Sequence, residues 1–174
     1  NNNYSKIENA ITDNYLLTNL TNSINVIKYK IVTFNDSAQS PYYRILKRVS
    51  GEKEIINELK SLQKTLIRIY YAIPPEDVNL QVIANELTGK CTKINDAVLK
   101  LEKLQYYRKS ALSFADPPDS RLQNQLKIIY SEIIDLDEFF NGSTTKNLPY
   151  VPVEFFKGFP VSVKYLIYLF ENSS

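Results

Sequence analysis

Apolar residues recur at alternating three- and four-residue steps in four separate stretches of the chain, the spacing that lines one side of an α-helix with core-facing side chains. The first stripe is Leu17, Leu20, Ile24, Ile27, Ile31 and Phe34, and the second is Ile55, Leu59, Leu62, Leu66, Ile69 and Ile73. The third runs Leu80, Ile83, Leu87, Cys91, Ile94, Val98 and Leu101, and the fourth Leu122, Leu126, Ile129, Ile133, Leu136 and Phe140. Polar residues fill the opposite faces. Four such stripes complete a core within one chain, and short connections between long helices make neighbours antiparallel. The expected fold is therefore all-α: an up-down-up-down bundle of four long helices, one domain spanning residues 1–174.

Punctuation refines the boundaries. No Pro or Gly interrupts the chain from Ser5 to Phe34, so the pattern predicts one first helix over that range, about 45 Å long at 1.5 Å per residue. Ser40-Pro41 opens a predicted short helix over 41–49, with Ser as N-cap and Pro at the first helical position. Ser50-Gly51 then weakens the run before the second long helix, which ends at Pro74-Pro75. Glu76 and Asp77 place negative charge in the first turn of the third helix, where the helix dipole favours it, and that helix is expected to reach about Ser110. Pro117-Pro118 is a stop, and Ser120 to Gln123 reads as a capping box for a fourth helix ending at Asn141-Gly142. Pro149, Pro152 and Pro160 divide the tail into short pieces, with a helical turn near 154–157 and a last helix from Pro160 to about Glu171.

Composition removes much of the usual chemistry. Histidine is absent from all 174 residues, which excludes Ser-His-Asp and Cys-His nucleophiles, histidine metal ligands and imidazole switches. The di-metal sites of some helical bundles fail on the same ground, since they need Glu-x-x-His pairs. Four glycines, none in a phosphate-cradling motif, exclude the familiar nucleotide-binding loops. The densest acidic cluster is Glu132, Asp135, Asp137 and Glu138, and the polar side of an amphipathic helix accounts for it without a metal. No cofactor is expected, and no catalytic or metal-binding residue stands out.

A formal charge of +2 comes from Lys and Arg spread among Asp and Glu, so neither nucleic acid nor an anionic membrane is an expected partner. The longest unbroken apolar run, Tyr165 to Phe170, falls far short of the roughly 20 residues that span a bilayer as a helix. The chain contains no Met and begins Asn1-Asn2-Asn3, which raises the expectation of a leader removed upstream. Asn-x-Ser/Thr acceptors occur at Asn3, Asn19, Asn35, Asn141 and Asn172, about twice the number chance would place. Together these predict a secreted, glycosylated protein. Its single cysteine, Cys91, sits in the third stripe and is expected to be a buried, inert thiol.

Aromatic doublets supply the remaining signal. Tyr42-Tyr43, Tyr70-Tyr71, Tyr106-Tyr107, Phe139-Phe140 and Phe155-Phe156 fall near predicted helix ends, where adjacent side chains diverge by about 100° and one ring of each is buried while the other faces outward. The extended, proline-restrained tail offers Tyr150, Val151, Val153, Phe155 and Phe156 as candidate partner-binding residues. Two functional classes follow. One is a secreted, non-enzymatic helical protein that binds another macromolecule, most simply a protein, through helix faces or the Pro-rich tail. The other is a carrier of a small apolar ligand held in a cavity between the helices. An enzyme working through carboxylates or tyrosines alone, or a lipid-coating bundle with broad apolar faces, fits the pattern less well.

Overall fold

The computed structural model describes residues 3–37, 40, 48–106 and 120–142, together with the side chains of most of them. These residues form five helices and no strand: α1 (Asn3–Ala10), α2 (Tyr15–Ser37), α3 (Arg48–Ala72), α4 (Val78–Tyr106) and α5 (Ser120–Asn141). The protein is all-α, with α2 to α5 packed against one another in chain order, α5 also touching α2, and α1 lying against α4 and α5. The predicted helical pieces over 41–47, 154–157 and 160–171, and the stretch 107–110, lie outside the described residues.

All four stripes face inward. Every member is buried except Cys91, which is half-buried and packs against the edge of the core. The register along each seam shows which way the helices run. Lys30 of α2 pairs with Glu54 at 3.6 Å, whereas Asn19 and Ser23, earlier in α2, share a recess with Thr65 and Arg68, later in α3. Residue numbers rise on one helix as they fall on the other, so α2 and α3 are antiparallel. The same order holds between α4 and α5, where Lys103 and Leu104 meet Arg121, and Lys93 meets Glu132.

The first predicted helix is two. The chain breaks over residues 11–14 because Asp13 makes a turn: its Oδ1 accepts the Tyr15 backbone N–H at 3.1 Å. Its carbonyl accepts the Leu16 N–H at 3.3 Å. Thr, Asp and Asn offer the backbone local partners that compete with helix continuation, so a break needs neither Pro nor Gly. The turn redirects α1 so that Ile7 and Ile11 join the core, and the Asn3 side-chain amide reaches the Phe139 carbonyl at 2.7 Å.

Two further boundaries differ from expectation. Arg48 and Val49 belong to α3 itself, which passes through Ser50-Gly51 unbroken; the cost of a helical glycine, about 1 kcal/mol, is outweighed by burial of Ile55 and Ile56 one turn on. Asp77 stands just before α4 rather than within its first turn, and as N-cap its Oδ1 accepts the Leu80 N–H at 3.1 Å. Asp77→Ala is expected to cost about 1 kcal/mol of unfolding free energy in urea titration. Gly142 closes α5 with a left-handed φ of 80° and donates its N–H to the Glu138 carbonyl at 2.7 Å.

Gly89 lies in the middle of α4, and a Cβ built on it meets nothing within 4 Å. Gly89→Ala therefore removes unfolded-chain entropy without a clash, and is expected to raise stability by about 1 kcal/mol in the same titration.

Candidate interaction surfaces

One end of the molecule exposes large apolar side chains. Tyr15, the first residue of α2, is 77% exposed, and Tyr71, in the last turn of α3, is 78% exposed. The antiparallel α2–α3 register places them at the same end, and the short connection over 73–77 brings Val78 (78%) and Val82 (60%) of α4 there too. Beside Val82 a groove of about 800 Å³ runs between α1 and α4, with Asn3, Lys6 and Ala10 on one wall and Asp77, Leu80 and Glu86 on the other. Tyr70 and Tyr71 show how the doublet works: Tyr70 is partly buried against the core, Tyr71 points out, and the rings meet edge to face at 5.2 Å. Phe139 and Phe140 repeat the arrangement at 5.2 Å, with Phe140 fully buried and the Lys90 ammonium 5.0 Å from the Phe139 ring. The doublets at 42–43, 106–107 and 155–156 lie outside the described side chains, as do Tyr150, Val151 and Val153.

A second surface is polar. Between α2 and α3 a recess of about 320 Å³ is lined by Asn19, Asn22 and Ser23 on one side and Lys64, Thr65 and Arg68 on the other. No acidic residue occurs between Asp13 and Asp36, nor between Glu58 and Glu76, so this seam carries local positive charge that the near-neutral total conceals.

The acidic cluster on α5 divides by depth. Asp135 and Glu138 are exposed and Glu132 pairs with Lys93 at 3.8 Å, as a solvated helix face predicts. Asp137 is different: it is buried, stands 3.8 Å from the buried Lys28 ammonium of α2, and accepts the Asn141 side-chain N–H at 2.6 Å. No group of three or more metal-ligating side chains gathers among the described residues.

Burial holds the Lys28 pKa below its ordinary value of 10.5, against the opposing pull of Asp137. The folded protein then binds fewer protons at Lys28 than the unfolded chain does in the window between that lowered pKa and 10.5. Stability contributed at this site consequently rises with pH across the window, as the buried charge is relieved. Urea titrations at stepped alkaline pH are expected to show wild type gaining stability relative to Lys28→Met, with the remaining lysines and tyrosines cancelling between the two proteins.

The acceptor asparagines fare unequally. Asn19 is exposed on α2. The side-chain amides of Asn3 and Asn141 are engaged with Phe139 and Asp137. Asn35, expected as an acceptor, is 3% exposed; Asn172 lies outside the described residues. Cys91 is a free thiol whose pKa burial pushes up, which disfavours the reactive thiolate. No described helix is long and apolar enough to cross a membrane. No protein-family model, characterised protein or solved structure matches the chain.

Proposed function

We propose that the chain is a secreted, non-enzymatic protein that binds another protein through the apolar end formed by Tyr15, Tyr71, Val78 and Val82. The observation that carries this reading is that those four side chains, all at least 60% exposed, lie toward the same end of the antiparallel helices. Water contact at exposed apolar side chains is unfavourable, and tyrosine supplies contact area with a polar tip at small entropic cost. A chain without histidine offers little of the usual equipment for acid–base or nucleophilic work. The acceptor sequons support an extracellular location.

The test places a photo-crosslinking amino acid at Tyr71 and, separately, at Leu99, an exposed position about 30 Å further along α4 than Val78. In extracellular fluid of the source organism, a discrete adduct is expected from position 71, competed away by wild-type protein but not by Tyr71→Ser/Val78→Ser. Adducts of equal yield at both positions would remove the reading. Detection of the endogenous protein by antibody only inside cells would remove its extracellular half.

A further inference from the structure

We propose that the recess between α2 and α3 binds an acidic saccharide, a sugar ring bearing a sulfate or phosphate ester. This goes beyond the apolar end and does not depend on it. Four lysines elsewhere, Lys28, Lys30, Lys60 and Lys93, each stand against a carboxylate. Lys64 and Arg68, one helical turn apart on α3, have no such partner among the described residues, and neither has an acidic residue within four positions along its helix. Two cations on one face of a recess form a seat for a tetrahedral oxyanion, with the guanidinium able to bind two oxygens at once.

The remaining lining fixes the rest of the ligand. Ser23 is only 9% exposed and makes no side-chain hydrogen bond among the described residues, so a polar group is held at the helix seam where an apolar one would pack better. Thr65, 8% exposed, donates its hydroxyl to the Ser61 carbonyl at 3.2 Å and keeps its remaining lone pair as an acceptor. The side chains of Asn19 and Asn22 supply both donors and acceptors at the opening. Amides and hydroxyls beside an anion seat match a polyhydroxylated ring, and about 320 Å³ is at the lower end of small-ligand sites.

The full chain, made without glycosylation, would be titrated with a sulfated disaccharide, its unsulfated counterpart, a hexose phosphate and sodium sulfate at matched ionic strength. Amide shifts and calorimetry supply the readout. Saturable binding of an esterified sugar, with shifts over 19–23 and 61–68, is expected; the tighter of the sulfate and phosphate esters identifies the source. Lys64→Gln/Arg68→Gln is expected to weaken binding at least about tenfold and Ser23→Ala a few-fold, while Lys103→Gln changes nothing. The proposal fails if neither ester saturates, if sodium sulfate binds equally well (an adventitious ion only), or if the double variant binds like wild type. A covalent glycan on Asn19 in protein taken from its source would fill the recess and overturn it as well.

Discussion

Asp137→Ala is expected to destabilise the fold by about 3–5 kcal/mol, the range seen when one partner of a buried ion pair is removed. The loss comes less from the pair's own attraction than from what is left behind. Lys28 keeps a buried ammonium with its counter-charge gone, and the Asn141 side chain loses its acceptor at the last residue of α5. Replacing both partners, as Lys28→Met/Asp137→Leu, is expected to recover most of the loss, because matched apolar side chains avoid desolvating either charge. Urea unfolding at neutral pH reads all three proteins. A single variant within about 1 kcal/mol of wild type would mean that water already reaches the pair.

Periodicity made the interior legible because burial is a property of the helix face, and a face is written in sequence spacing. Leu17 through Phe34, Ile55 through Ile73 and Leu122 through Phe140 are buried without exception. The same rule, applied to polar residues, carried information about the ion pair. Lys28 lies four residues after Ile24 and three before Ile31, and Asp137 four after Ile133 and three before Phe140. Each therefore occupies the flank of a buried stripe, where a side chain can pack against the neighbouring helix. Composition hid this, since charged residues as a class belong outside.

Boundaries set by side-chain hydrogen bonds were harder to read. The break after Ala10 depends on the Asp13 carboxylate choosing the Tyr15 N–H over water, a local competition that helix propensity does not weigh. The passage of α3 through Ser50-Gly51 depends on tertiary burial of Ile55 and Ile56, which no local window contains. The surfaces follow the same division. Tyr70-Tyr71 and Phe139-Phe140 announced one inward and one outward ring, but that Tyr71 shares an end with Tyr15 and Val78 follows only from the antiparallel register. The α2–α3 recess was invisible for a related reason: its polar residues come from two segments some 40 residues apart in Asn22–Lys64 terms, and a whole-chain charge of +2 averages over the acid-free seam.

Phe140→Ala is the second large effect, expected at about 3–5 kcal/mol. Phe140 is fully buried and sits edge-on to Phe139, whose carbonyl anchors Asn3 of α1. Removing its ring opens a cavity beneath that anchor, at the last turn of α5. The energetic loss is global, but its first structural sign is expected to be local. Hydrogen exchange at Ile7 of α1 and at Ile11 just after it should accelerate more than exchange at Leu59 or Leu62 in the middle of α3. Ile128→Ala, which truncates an exposed residue of the same helix, is expected to change stability by under about 0.5 kcal/mol and to leave α1 protected. Equal acceleration in α1 and α3 would show instead that α1 opens only when the whole bundle does, and that its hold on α5 is as firm as the packing of the long helices.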